Sequence, residues 1–474
     1  MNPNHYPVII VGGGIVGAGI YRDLSLHGIP TLLVDKKDFT SQTSERSSKM
    51  LHGGIRYLEN FDFQLIFEAL HEKNLWLKIA PELAQEREFI LPVYENSKRP
   101  VWQLAIGLFL YDLLSGFKNK PFRILSPKQT LELEPALNPQ GLKGAGVYAD
   151  AIVEDALMTL HCIFDAKKHT HSSKALNYTS LQNFEKKDNT FYLELKNELT
   201  NESFIATADH VVFALGPFTD QVLRNFHQLH WQDILLPSKG SHLWIKKEKL
   251  PLDRPLVITS HDKEDRVIFV IPHSDKVLVG TTELKTKENF FDVKISKDEI
   301  QYLLRHLNDY FPKAQITEDD ILSSFSGIRP LVKEDGDNLG KTSREHKIYR
   351  PYAKAFVIAG GKYTTFRTMG QEITRTICLN YHIPYNHELS LEKFQSRINF
   401  KPLQGDQLTE TALINILRDE SPKTFEDLVK RRLALPTKKL WRHKEESFEL
   451  FFSKRLNLIN QYFPCTKEEI EQYP

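Results

Sequence analysis

Apolar residues near the beginning of the chain form two short runs on either side of a helical pattern. Residues 8–11 are an apolar run typical of a buried strand. Residues 16–27 repeat apolar positions with the spacing of a helix, and residues 31–34 form a second apolar run. The pattern therefore predicts one strand–helix–strand unit, with a glycine turn after its first strand.

Later apolar segments predict another helix, further strands and a helical end. Residues 63–79 place apolar side chains near one face of a helix. Strands are expected in 191–215, in 243–283 and in 355–359, where apolar residues alternate or form short runs. After Asn380 the sequence changes to helices rich in lysine and arginine, which indicates a small appended domain.

Composition and charge narrow the class of protein. The 474 residues include 62 basic and 61 acidic side chains. No excess positive charge is available to follow a phosphate backbone, so nucleic-acid binding is not expected. The three cysteines, Cys162, Cys378 and Cys465, are far apart and form no CxxC pair. They predict neither disulfides nor a metal site and favour a reducing compartment.

Neither a secretory signal nor a membrane span is expected from the apolar pattern. Residues 1–7 lack a basic start, and the apolar run after them leads directly into the glycine turn. The most apolar later stretch, Val101–Leu114, contains Gln103 and Asp112 and is too short to cross a bilayer. We therefore expect a cytoplasmic protein, either free or attached to a membrane surface.

The glycine turn has the spacing of a dinucleotide-binding fingerprint. Gly12, Gly14 and Gly17 occupy the three positions of GxGxxG. The first permits a tight turn, the second lets the backbone approach a pyrophosphate, and the third lets the helix pack against the strand. Asp35 ends the next apolar run, roughly 20 residues later, where a ribose-binding carboxylate is expected. The ADP half of a dinucleotide is therefore expected at this turn.

A polar loop after Asp35 helps to select the cofactor. Residues 43–49 combine hydroxyl groups with two cations, which suits a pyrophosphate and a ribityl chain. A solvated loop of the same composition is the alternative interpretation. The candidate cofactor contacts in this loop are Thr43, Ser44, Ser48 and Lys49.

Several short segments, in the same order, resemble those of FAD-dependent glycerol-3-phosphate dehydrogenases of the aerobic type. The most specific is SSKMLHGGIRYL at 47–58. The others are LP at 91–92, GLFLYD at 107–112, KGSH at 239–242, RVIFVIP at 266–272, GTTE at 280–283, SGIRPL at 326–331 and GGKYTTFR at 360–367. Two features depart from the family pattern: Glu283 is often an aspartate, and the region after residue 380 is shorter and different.

The resemblance implies oxidation of sn-glycerol 3-phosphate to dihydroxyacetone phosphate, with a hydride passing from C2 to N5 of a non-covalent FAD. Membrane-associated dehydrogenases of this family pass the electrons to quinone, and related oxidases pass them to oxygen; we expect quinone, and a homodimer is compatible with the sequence. The implied fold is α/β and D-amino-acid-oxidase-like. Its parts are a discontinuous Rossmann-like FAD-binding domain (1–80, 145–225 and 325–378), an antiparallel-sheet substrate domain (81–144 and 226–324) and a small helical C-terminal cap (379–474).

Arginines are the candidate ligands of the substrate phosphate, because their planar fork binds two oxygens at once. The resemblance implies that Arg56, Arg329 and Arg344 lie around this phosphate, with Tyr57 beside Arg56. Arg344 also fits an ordinary polar loop. A solvated surface position is the alternative interpretation for Arg56.

Two glycines and a lysine follow the apolar run at 355–359. Lys362 can face the flavin and the substrate, where its charge would stabilise a reduced, anionic flavin. Gly360, Gly361 and Thr364 are expected to line the flavin. Gly216, which ends another apolar run, is expected near the ADP.

Oxidation at C2 requires a base for the proton of the C2 hydroxyl, and an imidazole suits this at neutral pH. His242 is the first candidate and His52 the alternative. Arg266 is expected near the same pocket, either as an electrostatic stabiliser or as a charge at the edge of a sheet.

Other functions remain compatible with parts of this pattern. An NAD-dependent dehydrogenase would share the glycine fingerprint, and an FAD-dependent amine or amino-acid oxidase would share the fold. A carboxylate substrate needs one arginine, however, and a set of three fits a dianionic phosphate better. A different polyol phosphate is harder to separate from glycerol 3-phosphate, and a non-enzymatic FAD-binding protein is a further alternative.

Electron transfer to quinone requires approach to a bilayer, so a peripheral position on the inner face of the cytoplasmic membrane is expected. The basic stretch 423–444 is the first candidate for this contact, because each cation near an anionic leaflet contributes ~1 kcal/mol. A solvated face of the cap is the alternative. Val101–Leu114 is a second candidate, although its resemblance to the family suggests a buried element.

Overall fold

The computed structural model describes residues 4–474 except 261, 263–264, 274, 287–289, 334–344, 396, 405, 442 and 444. Its strands, in chain order, are β1 (His5–Val11), β2 (Thr31–Val34), β3 (Met50–Leu51), β4 (Ala84–Tyr94), β5 (Arg123–Leu125), β6 (Leu142–Val153), β7 (Lys174–Leu176), β8 (Thr179–Lys187), β9 (Thr190–Asn197), β10 (Ser203–Phe213), β11 (Leu235–Lys246), β12 (Leu256–Thr259), β13 (Val267–Pro272), β14 (Lys276–Gly280), β15 (Leu284–Lys285), β16 (Ile321–Val332), β17 (His346–Tyr352) and β18 (Ala355–Gly360). Its α-helices are α1 (Ile15–Leu26), α2 (Phe63–Ile79), α3 (Val101–Leu114), α4 (Pro127–Leu133), α5 (Asp155–His169), α6 (Thr219–Leu223), α7 (Lys297–Tyr310), α8 (Phe366–Asn380), α9 (Glu410–Asp419), α10 (Phe448–Lys454), α11 (Leu456–Ile459) and α12 (Lys467–Gln472).

The first sheet has the strand order β17–β18–β10–β1–β2–β7, with β9 paired to β10 and β8 to β9. β1 lies parallel to both β2 and β10. Strands of a parallel sheet are buried on both faces, which explains the nearly continuous apolar run of β1. Val8 and Ile10 face a core that contains residues of α1, α5 and α8, whereas Ile9 and Val11 face a second core on the other side. The predicted strand–helix–strand unit is confirmed as β1, α1 and β2, with α1 shifted by one residue.

The second sheet has the order β15–β11–β14–β13–β12–β4–β6–β3, with β16 paired to β11 and β5 to β6. Its pairs are antiparallel apart from the contact between β12 and β4, which confirms the predicted antiparallel substrate sheet. In β11, His242 lies opposite Gly280 of β14 and Phe325 of β16. Most residues of β6 and β16 fall in the predicted FAD-binding segments 145–225 and 325–378, but both strands pair within this second sheet.

The C-terminal region is helical, as predicted, and has its own apolar core around Phe425, Phe448 and Phe452. Two members of the basic stretch 423–444 do not face solvent as the predicted patch requires, whereas Lys423 and Lys439 are exposed. Arg431 and Arg432 are buried, and both form ion pairs with Asp38, which lies outside the cap. Arg442 and Lys444 lie outside the described residues.

Candidate active site

The glycine turn joins the end of β1 to the beginning of α1. Gly12 has φ of +113°, a backbone conformation that glycine adopts without the steric cost of a side chain. A Cβ atom on Gly17 would lie 1.9 Å from the carbonyl oxygen of Gly12. The turn can therefore bring α1 this close to β1 only with glycine at both positions.

Asp35 ties the loop after β2 to this turn. Its carboxylate accepts hydrogen bonds from the amide of Gly13 at 2.7 Å and from the amide of Lys37 at 2.9 Å. Burial raises the pKa of Asp35 to about 6, and the two amides oppose that rise. The carboxylate thus lies beside the glycine turn, where the sequence predicts the ribose.

Two adjoining cavities extend from the glycine turn. The first has a volume of about 360 Å³ and is lined by Gly12, Gly14, Asp35 and the loop that contains Thr43 and Ser44. The second, of about 240 Å³, reaches the second sheet. The residues common to both linings are Gly14, Thr43, Ser44, Ala214, Gly216 and Pro217. Together the cavities form an elongated space, as a dinucleotide requires.

The second cavity is bounded on one side by the end of β18. Gly360 and Gly361 have φ of +77° and +81°, so two consecutive left-handed residues turn the chain at this wall. The next residue, Lys362, lines the cavity and places its ammonium nitrogen 3.9 Å from the ring centroid of Tyr57. A cation and an aromatic ring, both predicted site residues, therefore lie together in this cavity.

His242 lines the second cavity from β11. Its Nε2 atom lies 3.0 Å from the hydroxyl oxygen of Ser48, and its ring stacks on Phe325 with 4.9 Å between centroids. Its Nδ1 atom is buried and has no hydrogen-bond partner among the described residues. Burial, assisted by the charges of Arg329 and Lys49, lowers the pKa of His242 to about 3. The imidazole is therefore neutral at neutral pH.

His52 lines the same cavity, so both candidate bases are brought together. The backbone of His52 is held by Thr364, whose hydroxyl accepts from the His52 amide at 3.2 Å and donates to the His52 carbonyl at 3.4 Å. Thr364 itself is absent from the lining of the described cavity. It acts on this site by fixing the position of His52.

Arg329 enters the cavity from β16. It donates to the hydroxyl of Thr281 at 2.9 Å and lies 3.5 Å from the carboxylate of Glu283. A Cβ atom on Gly240 would lie 2.6 Å from a terminal nitrogen of Arg329, so the glycine leaves space for this guanidinium. Arg266 lies outside the cavity lining and donates to the Glu283 carbonyl. Two predicted arginines therefore converge on Glu283.

Residues 7–375 match the family of FAD-dependent oxidoreductases. This chain belongs to that family. The match confirms the predicted FAD cofactor and favours it over the NAD alternative. The D-amino-acid-oxidase-like fold expected from the resemblance is confirmed as well.

Two curated relatives place the chain among the glycerol-3-phosphate dehydrogenases of this family, as the resemblance predicted. The glycerol-3-phosphate dehydrogenase of Synechocystis sp. is 36% identical over 385 residues, which are 78% of this chain and 69% of the relative. The aerobic glycerol-3-phosphate dehydrogenase of Staphylococcus aureus is 34% identical over 378 residues, 78% of this chain and 66% of the relative. The matched region thus spans about two thirds of the length of these relatives.

Solved structures support the fold. The glycerol-3-phosphate dehydrogenase of Bacillus halodurans, complexed with FAD, has a TM-score of 0.72 at 23% identity and covers 99% of this chain and 92% of its own. The L-α-glycerophosphate oxidase of Mycoplasma pneumoniae, with FAD bound, has a TM-score of 0.64 at 19% identity, covering 82% of this chain and 98% of its own.

The residues of the FAD-dependent oxidoreductase fit its cofactor. The glycine turn leaves no room for a side chain at Gly17, and α1 directs its first amides toward the turn, where a pyrophosphate charge is stabilised. Gly216, with φ of +54°, lines both cavities, as Gly14 does. That the FAD is bound non-covalently stays a prediction.

Two predicted ligands, Arg56 and Lys49, do not line the second cavity. Arg56 is exposed and is absent from the lining of the described cavity. Lys49 pairs with Asp155 at 2.5 Å and lines a neighbouring cavity of about 470 Å³ beside the cap. Arg344 lies outside the described residues. The roles given to these residues remain predictions.

The structure also reveals a buried support that the sequence analysis did not identify. The hydroxyl of Tyr111 accepts from the amide of Gly53 at 2.8 Å and donates to the carboxylate of Asp150 at 2.9 Å. Gly53 follows His52, so α3 and β6 hold the backbone beside a candidate base. The segment at 107–112 resembled the family and contained Tyr111, but the sequence did not indicate which backbone group it would contact.

Proposed function

We propose that this FAD-dependent oxidoreductase oxidises sn-glycerol 3-phosphate to dihydroxyacetone phosphate in the second cavity. The observation that carries the proposal is the convergence of Arg329, Lys362, His242 and His52 on one small space beside the glycine turn. The names of the curated relatives support the same substrate. Oxidation of a phosphorylated secondary alcohol requires cations for the phosphate and a base for the hydroxyl, and this cavity offers two cations and two candidate imidazoles.

Arg329 and Lys362 bind the substrate phosphate and orient the polyol. Arg329 is held in advance by Thr281 and Glu283, so little side-chain freedom is lost when a second anion binds to its fork. Lys362 lines the same cavity and adds a point charge. Arg56 and Arg344 belong to this proposal as further phosphate ligands, and Arg56 must move inward to take part.

A neutral imidazole accepts the proton of the C2 hydroxyl. His242 is neutral because burial and neighbouring cations depress its pKa. A bound phosphate dianion offsets the charges of Arg329 and Lys362, so the imidazolium becomes easier to form in the substrate complex. His52 is the alternative base and faces the same space. FAD, when bound, supplies the acceptor for the hydride that leaves C2.

A steady-state substrate panel tests this activity. The FAD-loaded protein should reduce a dye acceptor with glycerol 3-phosphate, but not with glycerol or with an α-amino acid. If a tetritol phosphate is oxidised with equal catalytic efficiency, the protein acts on a broader class of polyol phosphates. Turnover of an amino acid alone would contradict the proposal.

We infer further that the electrons pass to quinone while the protein is bound to the inner face of the cytoplasmic membrane. In the described residues, no helix combines the length and apolarity that a crossing requires. Attachment would therefore be peripheral. A homodimer remains a prediction.

An exposed apolar face supports this attachment. We define it by Phe61, Phe63, Phe67, Trp102, Ile106, Phe109, Leu113 and Phe117, whose side chains are between 40% and 76% exposed. They lie on α3, on the beginning of α2 and on adjoining turns, which pack against each other. Helix α3 buries Leu104 and Leu108 and exposes its other side, so it is less buried than its resemblance to the family suggested.

The charges on and beside α3 favour a bilayer as the occupant of the apolar face. The exposed side of α3 carries no charged residue, since its one acid, Asp112, is buried. Lys98 precedes α3, and Lys118 and Lys120 follow it, all with exposed side chains. An apolar helix face with an aromatic residue and flanking lysines is the pattern of an interfacial helix.

A further inference from the structure

The loop after β2 contacts the glycine turn and lines the FAD site. Its residue Asp35 binds the amide of Gly13 at 2.7 Å, and the hydroxyl of Ser44 accepts from the amide of Ile15 at 2.9 Å. Thr43 and Ser44 line both cavities. The position of this loop therefore determines the space available beside the glycine turn.

The same loop also carries two buried acids, which contact the C-terminal cap. Asp38 accepts from Arg431 at 2.6 Å and from Arg432 at 3.0 Å, and both guanidinium groups are buried. Glu45 lies 3.2 Å from the ammonium group of Lys430 and 3.5 Å from the guanidinium of Arg431. These three cations are consecutive in the helical turn Asp427–Arg432.

The cap cations keep both acids ionised inside the protein. Burial alone would raise the pKa of Asp38, but Arg432 and Arg431 hold it below its ordinary value. Arg431 and Lys430 likewise outweigh burial and lower the pKa of Glu45. Removing one of the two arginines leaves buried Asp38 with only part of its charge compensation, which disfavours the present position of the loop.

Further hydrogen bonds fix the cap turn against the first sheet. Asn177, at the end of β7, donates to Asp38 at 2.8 Å. Tyr178 donates to Asp427 at 2.8 Å, and Arg432 donates to the carbonyl of Glu420 at 3.0 Å. The cap turn, the loop and the β7–β8 connection therefore form one buried polar unit.

We infer that the C-terminal cap controls FAD binding, with Arg431 and Arg432 as positioning residues that hold the cofactor loop 38–45 in its binding shape. The family match ends at residue 375, before the cap begins, so membership of the family assigns no such role to these arginines. The inference concerns the cofactor and does not depend on which substrate is oxidised.

The direct test is the dissociation constant of FAD from the full-length apoprotein, measured by quenching of flavin fluorescence. Arg431→Gln and Arg432→Gln should each weaken FAD binding by ~10-fold or more, the effect of losing a charged hydrogen bond. Arg432→Lys should recover part of the loss. At saturating FAD, the KM for substrate should remain that of the wild type.

Arg455→Gln is the matched control, because Arg455 pairs with Glu410 and Glu446 inside the cap and makes no ion pair with the loop. It should leave FAD affinity unchanged even if it lowers the stability of the cap. Wild-type affinity in folded Arg431→Gln and Arg432→Gln variants, or an equal loss in all three, would overturn the inference.

Amide hydrogen exchange of the wild-type protein tests the same coupling without a variant. Because linkage is reciprocal, FAD should slow exchange in the cap turn 427–433 as well as in the loop 38–45. It should have less effect on α10 and α12, which lie farther along the cap. Protection of the loop with unchanged exchange in the cap turn would contradict the inference, even if the variants fail to fold.

Discussion

The Nε2 atom of His242 lies 3.0 Å from the hydroxyl oxygen of Ser48. This contact joins β11 of the second sheet to the loop that follows the cofactor segment. Because the imidazole also stacks on Phe325, its ring has one orientation toward the cavity. At saturating FAD, a Ser48→Ala variant should therefore show a lower kcat than the wild type, because the candidate base is less well oriented.

The depressed pKa of His242 makes a prediction about stability. The folded protein disfavours protonation of His242, whereas the unfolded chain accepts the proton readily. The free energy of unfolding is therefore highest above the unfolded pKa of ~6.5 and decreases as pH falls toward about 3. His242→Asn should flatten the fall of unfolding free energy below pH ~6.5 by up to ~1.4 kcal/mol per pH unit. Urea unfolding at several pH values measures this.

His171→Asn replaces an exposed histidine outside the cavity and is measured in parallel as the comparison variant. Identical slopes in the wild type and the His242→Asn variant would show that His242 titrates in the folded protein as it does in the unfolded chain.

Arg329 should dominate recognition of the phosphate. Arg329→Ala is expected to lower kcat/KM for glycerol 3-phosphate by ~10–150-fold, because a charged hydrogen bond contributes ~1.5–3 kcal/mol. FAD content should not change. Arg329→Lys should be intermediate, since it keeps the charge and loses the fork.

Arg56→Ala tests the arginine that the structure places at the surface. A loss as large as that of Arg329→Ala would mean that Arg56 reaches the phosphate in the substrate complex. Kinetics close to those of the wild type would remove Arg56 from the site.

Gly17→Ala should abolish FAD binding. The added methyl group would lie 1.9 Å from the Gly12 carbonyl, so α1 must move away from β1 and the turn must open. Gly107→Ala is the matched helical control, because its nearest neighbour would be 3.8 Å away. Flavin released from purified protein by acid measures the difference, and a Gly17→Ala variant with full FAD content would refute the role of the turn.

Features formed by residues close together in the chain could be predicted, because the apolar or glycine pattern that indicates each one lies within a single segment. The β1–α1–β2 unit follows from adjacent apolar runs and glycines, and the helix Phe63–Ile79 was found with its observed bounds. Gly12, Gly14 and Gly17 indicate the dinucleotide by their own spacing. Lys362 could be predicted as a site residue because it follows two glycines and a buried strand, and it lines the second cavity.

Contacts between distant segments could not be read in this way. The burial of Arg431 and Arg432 depends on Asp38, almost 400 residues earlier in the chain. A run of basic residues is therefore compatible with a surface patch or with buried ion pairs. The support of His52 by Thr364 likewise requires two segments 312 residues apart to meet in space.

The apolar face predicts salt-resistant membrane binding. The wild-type protein should float with anionic vesicles, and a variant with Trp102, Ile106 and Phe109 changed to serine should not. Leu199 and Ile205 are exposed to a similar degree elsewhere, and changing them to serine should leave flotation unaffected. If the triple variant instead converts a dimer to a monomer without changing flotation, the face binds a second copy.

Anaerobic bleaching of the flavin shows whether glycerol 3-phosphate reduces the FAD of this protein. Under the proposed function, glycerol 3-phosphate should abolish the visible absorbance of FAD in the wild-type protein within seconds, with stoichiometric formation of dihydroxyacetone phosphate. The Arg329→Ala variant should bleach more slowly at the same FAD content. A flavin that stays oxidised with glycerol 3-phosphate, yet is bleached by dithionite, would contradict the account.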